Sequence, residues 1–174
     1  GLEEARTIPG RYDHVDAGQD FAVVVDYAHA ADSLEKLLSM YRDLTPNGNL
    51  FAVFGATGGG RDVGKRPKMG AIAHKYADYV ILTNDDPYSD DELKIIEDIA
   101  VGVSRKEGDK FWKIVDREQA IRFALMLAKK GDSVVISGKG AEEIMKVRGK
   151  TIPWGDKNLV VELLRKQVSI GHIE

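Results

Sequence analysis

Short apolar runs that stop abruptly in polar or glycine-rich clusters constrain this chain most. Residues 21–25 (Phe-Ala-Val-Val-Val), 50–54, 79–83 and 133–137 are continuous apolar stretches rich in β-branched or aromatic side chains, and 111–115 has the same character. A strand with one wet face alternates apolar and polar residues. A continuous run marks a strand buried on both faces. Segments with helical spacing lie between these runs. Leu34, Leu37, Leu38 and Tyr41 predict a helix over 32–41, capped by Asp32 or Ser33. Pro67 suits the first turn of a helix to about Tyr76. Leu93, Ile96, Ile99 and Ala100 share one face of a helix from Asp90 or Asp91 to about Val103. Further helices are expected over 117–130, ended by Gly131 as a C′ residue, and over 156–167. Residues 146–154 read as a hairpin around Arg148-Gly149-Lys150.

This alternation predicts an α/β fold, a Rossmann-like doubly wound, mostly parallel sheet of about six strands with helices on both faces. In such sheets ligands gather at the carboxyl ends of the strands. Four clusters follow strands and should meet on that edge. They are Asp26-Tyr27-Ala28-His29, residues 55–66 with Gly58, Gly59, Gly60, Arg61 and Lys65, Asn84-Asp85-Asp86-Pro87, and Gly138-Lys139-Gly140-Ala141-Glu142.

Each cluster admits a plain reading and a chemical one. Adjacent glycines leave backbone N–H groups uncovered, and with Arg61, Lys65 and Arg66 they make an anion site; the plain reading is a flexible strand-to-helix connection. Residues 59–65 fit G-x-x-x-x-G-K, but Arg66 stands where a P-loop needs Ser or Thr for magnesium. Asp26 can accept from a ribose hydroxyl and His29 can stack on a base, or Asp26 caps a helix and His29 is an ordinary surface histidine. Asp85 and Asp86, with Asp90 and Asp91 nearby, suit an amino group or form a solvated acidic turn. Arg61 facing Asp85, Asp86 and Glu142 is the charge layout for a zwitterion. The four histidines, 14, 29, 74 and 172, show no metal-ligand spacing.

In this order the clusters resemble the C-terminal domain of the Mur ligases. The matching stretches are Pro9-Gly-Arg11, Val25-Asp-Tyr-Ala-His29, Asp32-Ser-Leu-Glu-Lys36, Gly58-Gly-Gly-Arg-Asp-Val-Gly-Lys-Arg-Pro67-Lys-Met-Gly70, Thr83-Asn-Asp-Asp-Pro87, Asp116-Arg-Glu-Gln-Ala120 and Gly138-Lys-Gly-Ala-Glu142. Together they cover about residues 7–166. Within the family the chain looks most like the enzymes that add a diamino acid to UDP-N-acetylmuramoyl-L-alanyl-D-glutamate in peptidoglycan precursor synthesis.

The resemblance implies a cytoplasmic, three-domain, ATP-dependent acid–amino-acid ligase that works through an acyl phosphate. Its last domain closes over ATP and delivers the amino acid. ATP with Mg2+ is the implied cofactor, the magnesium held mainly by the central domain. ATP, the diamino acid and the UDP-N-acetylmuramoyl-dipeptide are the implied partners, with neither nucleic acid nor membrane among them. By position Arg11, Asp26 and His29 would contact the nucleotide. Arg61, Asp85, Asp86, Tyr88, Gly138 and Glu142 would contact the amino acid. No catalytic or metal-ligating residue is expected in this segment, and alone it is expected to be inactive. Residues 1–10 read as a linker remnant, 11–167 as the domain and 168–174 as a tail.

Three departures from the family pattern stand out. In meso-diaminopimelate enzymes the selectivity motif is Asp-Asn-Pro-Arg; here Asp86 replaces Asn and Tyr88 replaces Arg. Loss of an Arg that pairs with a second carboxylate favours L-lysine. The glycine loop is one residue longer than its commonest form, and Ala141 stands where a His is usual. Related domains of folylpolyglutamate synthases and cyanophycin synthetases are the alternative, and a non-catalytic nucleotide-binding module is a further one, though no G-x-G-x-x-G follows the first strand.

Composition excludes other classes. With 43% hydrophobic residues and a net charge of −3 the 174-residue chain is neither disordered nor a bulk-charge nucleic-acid binder. Without cysteine it has no disulfide framework, thiol chemistry or cysteine metal site.

Overall fold

The computed structural model describes residues 8–171. Most of the expected linker, His172 and the end of the expected tail lie outside that range. In chain order the elements are β1 (Asp13–His14), β2 (Ala22–Asp26), α1 (Ala31–Leu44), β3 (Leu50–Phe54), α2 (Lys65–Tyr76), β4 (Tyr79–Leu82), α3 (Glu92–Ala100), β5 (Phe111–Lys113), α4 (Arg117–Leu127), β6 (Ser133–Ser137), β7 (Ile144–Val147), β8 (Lys150–Pro153) and α5 (Asp156–Gly171). The main sheet has six strands in the order β1-β2-β6-β3-β4-β5. All its pairings are parallel except the antiparallel β1–β2 pair at one edge.

The apolar runs are continuous because alternate residues enter different cores. Leu50, Ala52 and Phe54 of β3 pack with Leu34, Leu37 and Leu38 of α1, Met69 of α2 and Ile96 and Ile99 of α3. Phe51 and Val53 face the other way, toward Ile121 and Leu125 of α4 and Val160 and Leu164 of α5. Burying one such side chain contributes about 1.5–3 kcal/mol.

Several element ends differ from the sequence reading for local reasons. α1 begins at Ala31, so Asp32 lies inside its first turn, and Ser33 Oγ accepts from Ala30 N at 3.3 Å. α3 starts as expected, with Asp91 accepting from Leu93 N and Lys94 N, but stops at Ala100. There the chain turns through Gly102, where a Cβ would stand 2.0 Å from Pro67 O; Gly70 would likewise meet Ile99 O at 2.0 Å. These glycines let α2 and α3 touch along their backbones. α4 ends at Leu127, three residues before the expected end, and Gly131 (φ +87°) forms the next turn instead of the C′ position. The Asp132 carboxylate fastens that turn by accepting from Lys129 N and Asn49 N. α5 runs on to Gly171. The hairpin turn at Arg148-Gly149 has positive φ at both residues (51° and 72°), as a two-residue turn matched to strand twist requires.

Parallel strands place the loops after β2, β3, β4 and β6 on one edge of the sheet. The expected clusters therefore meet. No described helix is long and apolar enough to cross a membrane.

Candidate functional site

A cleft of about 380 Å3 opens beside the end of β2, with Arg11, Asp26, Tyr27, His29 and Lys36 in its wall. Asp26 is buried; its Oδ1 accepts from Ala28 N at 2.7 Å and its Oδ2 from Tyr12 N at 2.8 Å. The carboxylate thus ties the entering chain to the post-β2 loop and does not cap α1. Carboxylate oxygens with further lone pairs remain able to accept from a hydroxyl. His29 Nδ1 meets Tyr27 O at 2.9 Å. A carbonyl partner requires the proton on Nδ1, and in the neutral ring that leaves Nε2 as an acceptor. Gly10 (φ +78°) is pressed on the loop after β6, where its Cβ would lie 2.2 Å from Ala141 N. That contact brings Arg11 to the rim of the cleft.

Two of the three adjacent glycines after β3 have their N–H groups engaged where sequence reading expected them bare, while Gly60 stays exposed. Gly58 N donates to Asp86 O at 2.9 Å and Gly59 N to Asp90 Oδ2 at 3.0 Å. A Cβ on Gly58 would meet Pro87 O at 2.2 Å. Gly58 and Gly59 thus serve close packing against the 84–90 segment, and their N–H groups are taken by Asp86 O and Asp90. Arg66 also departs from expectation. It is buried, donating to Asp98 Oδ2 at 2.9 Å and to Thr57 O at 3.2 Å. Lys65 Nζ reaches His29 O at 3.0 Å and ties this loop to the cleft. Arg61 is exposed, and its guanidinium has no ion-pair partner among the described residues.

Across the edge lies a carboxylate cluster built around a buried ammonium. Lys139 is fully buried, and its Nζ donates to Asp86 Oδ1 at 2.8 Å and Glu142 Oε2 at 2.5 Å. Burial alone would lower its pKa; hydrogen bonds to Asp86 and Glu142 and the charges of Asp86 and Asp85 outweigh that and raise it. Asp86 Oδ1 also accepts from Lys146 N at 2.8 Å, and Tyr88 N donates to Lys146 O at 2.9 Å. The 86–88 segment is thereby stitched to the β7–β8 hairpin. Asp86 and Tyr88 both hold left-handed backbone, with φ of 46° and 54°. Such conformations cost about 1–3 kcal/mol each and persist where surroundings impose them. The Tyr88 ring packs on Gly59, with Cδ2 3.1 Å from where a Cβ would stand.

Asp85 lies beneath this cluster. It is 3% exposed, its Oδ2 has no hydrogen-bond partner, and burial pushes its carboxyl up against the lowering charges of Arg117 and Lys139. Gly138 (φ +114°) passes directly over it, since a Cβ there would stand 2.2 Å from Asp85 Oδ2. Below both sits Arg117. Its Nε and Nη2 grip Asp156 at 2.9 and 2.7 Å, Nη1 donates to Asn84 O at 2.9 Å and Nη2 to Ser137 O at 3.0 Å. Burial alone would lower its pKa; the charge and hydrogen bonds of Asp156 raise it. One guanidinium therefore joins the ends of β4 and β6 to the start of α5. Sequence reading assigned no role to Arg117 or Lys139. The signal for Arg117 was its place on the stripe with Ala120, Ile121 and Ala124, all buried on α4.

The structure thus brings Asp26 and His29 to one cleft, and Asp86 and Glu142 to one buried cation. It places Asp85 and Gly138 underneath, Tyr88 over the glycine loop and Arg61 free in solvent. A larger surface depression, about 740 Å3, is lined by α5 alone, away from these loops.

Comparison with known proteins shows the family and the fold. The family described as Mur ligase, glutamate ligase domain, matches residues 10–140. The UDP-N-acetylmuramoyl-L-alanyl-D-glutamate–2,6-diaminopimelate ligase of Syntrophomonas wolfei is 46% identical over 96% of this chain and 34% of its own length. A solved structure bearing the same ligase name superposes with a TM-score of 0.81 and 36% identity, over 93% of this chain and 32% of its own. The bifunctional folylpolyglutamate synthase/dihydrofolate synthase of Yersinia pestis shares the fold alone, with 17% identity and a TM-score of 0.58 over 95% of this chain. The chain spans about a third of the length of the relatives it matches. Their names specify 2,6-diaminopimelate and give no support to the expected preference for L-lysine. With its strand-end clusters converging on one edge and the family match spanning most of its length, the chain belongs to the Mur ligase family as its C-terminal, glutamate ligase domain.

Proposed function

We propose that this domain presents a diamino acid beside a bound nucleotide within an ATP-dependent amide ligase that extends a UDP-N-acetylmuramoyl-dipeptide in the cytoplasm. The observation that carries this reading is the adjacency of two unlike sites on one sheet edge. One is a cleft with a buried acceptor, Asp26. The other is a carboxylate pair, Asp86 and Glu142, with Arg61 unpaired nearby in sequence to the glycine loop.

The residues fit a nucleotide: Asp26 to accept from ribose, His29 Nε2 to meet the base, and Arg11 and Lys36 to face phosphate charge. Bound ATP supplies the phosphoryl group that activates the acceptor carboxylate. Magnesium is assigned to other parts of the ligase; among the described residues no three His, Cys, Asp or Glu side chains converge to hold a metal. The domain's own work is positioning. Arg61 takes the α-carboxylate of the incoming amino acid. Asp86 and Glu142, held rigid by Lys139, accept from its distal ammonium. Such preorganised charge lowers the cost of bringing amine and activated acyl group together.

The relatives' names make 2,6-diaminopimelate the first candidate, with L-lysine as the competitor. Tyr88 separates the two. In the complete ligase, Tyr88→Arg should raise the kcat/KM ratio for 2,6-diaminopimelate over L-lysine by about 10-fold, the value of one added charge-assisted hydrogen bond. An unchanged ratio would mean that residue 88 does not face the distal end of the substrate.

A further inference from the structure

We propose that Tyr27 couples the two sites: one side of it walls the nucleotide cleft, and the other is packed on the loop that carries Lys139 and Glu142. This inference rests on the functional reading above and adds a positioning residue to it.

On the cleft side, the Tyr27 ring meets the His29 ring edge-on, with centroids 4.7 Å apart and planes at 65°. Tyr27 O accepts from His29 Nδ1, so the two residues move as a unit. On the other side no gap separates Tyr27 from the loop after β6. A Cβ on Gly140 (φ +55°) would stand 2.9 Å from Tyr27 Cβ and 3.1 Å from its Cα. Gly138 N donates to Asp26 O at 3.1 Å, fixing the same loop two residues earlier.

The Tyr27 hydroxyl also feels the carboxylates beyond that loop: it is made less acidic, first by partial burial, then by Glu142 and further by Asp85, against the lowering charge of Lys139. Glu142 holds Lys139, and Lys139 holds Asp86. Tyr27 itself is 37% exposed, so packing alone does not fix its ring. A nucleotide seated against Tyr27 and His29 removes that freedom and sets Glu142 for the amino acid. By linkage the amino acid strengthens nucleotide binding by the same factor.

The test is calorimetric, on the complete ligase, with ADP and 2,6-diaminopimelate as probes. ADP affinity is measured with and without saturating diamino acid in the wild type, Tyr27→Phe, Glu142→Gln and the double variant. The wild type should show a coupling factor of about 5 or more. Tyr27→Phe keeps the ring contacts and loses only the hydroxyl, and its factor should fall to about 1. Glu142→Gln should lower the factor as well, and the double variant should lower it no further than Tyr27→Phe. Because the factor is a ratio, a general loss of affinity cancels from it. A Tyr27→Phe factor equal to that of the wild type overturns the coupling role while leaving the proposed function intact. A wild type that binds neither probe overturns the proposed function, and this inference with it.

Discussion

Arg117→Leu should cost the fold about 3–5 kcal/mol, the usual penalty for removing one partner of a buried ion pair. A domain of this size has about 5–15 kcal/mol in total, so the variant should be close to unfolding at growth temperature. The large effect has a specific origin. Both members of the pair have fully buried side chains, so Asp156 would be left as an uncompensated charge. Asn84 O and Ser137 O would also lose their donor. Trp154 Nε1, at 2.8 Å from Asp156 Oδ1, would be the only remaining side-chain donor to that carboxylate among the described residues. Urea denaturation should show a lower midpoint with an unchanged slope. Replacing both residues, Arg117→Leu with Asp156→Leu, should recover a large part of the loss, because no buried charge then remains. A single variant within 1 kcal/mol of wild type would mean that Arg117 does not clamp the strand ends.

Gly138→Ala should abolish productive amino-acid binding, with kcat/KM in the complete ligase down about 100-fold or more, as expected when reacting groups are misplaced by about an ångström. The φ of +114° is strained for any side chain, and the added Cβ would overlap Asp85 Oδ2 at 2.2 Å. Relief requires moving Asp85 or the 138–142 loop, and either displaces Lys139 from Asp86. Gly131→Ala is the matched control. Its φ of +87° imposes backbone strain too, but nothing stands within 4 Å of the new Cβ. It should cost about 1–3 kcal/mol of stability and leave KM for the amino acid unchanged. Equal loss of kcat/KM in both variants would refute the close packing over Asp85 as the cause.

Much of the scaffold was legible because its signals are local. Val23 to Val25 and Leu50 to Phe54 read as doubly buried strands, and alternate residues do enter the two cores. Asp90 or Asp91 read as a helix start, and Asp91 accepts from Leu93 N and Lys94 N of α3; the cap of α4, Asp116, which accepts from Gln119 N, was not singled out. β1 was not legible. Two residues carry no periodicity, and Asp13–His14 is a strand only because β2 offers it a free edge. The insertion of β6 between β2 and β3 was equally hidden, since strand order depends on long-range pairing.

The site was legible as a set of residues and not as a network. Sequence placed Asp85 and Asp86 together as one acidic pocket, but adjacent residues point differently. Asp86 reaches the buried Lys139, while Asp85 lies deeper, where the charge of Arg117 acts on it. The glycine loop read as bare N–H groups because nothing local reveals what it will pack against. Lys139 read as a motif position and not as a site residue, since a lysine is by default solvated. Only tertiary structure shows that it is the cation around which two of the expected ligand-binding carboxylates are arranged.

The central claim is that nucleotide and diamino acid occupy neighbouring but distinct sites on one edge of this domain. Amide NMR spectra of the 174-residue chain, recorded during titration with ADP and then with 2,6-diaminopimelate, test it most directly. ADP should shift the amides of residues 26–29 and Lys36, and the diamino acid should shift those of Arg61, Asp86, Tyr88 and Glu142. Shifts confined to the outer face of α5, or a response at residues 26–29 to NAD but not to ADP, would contradict it.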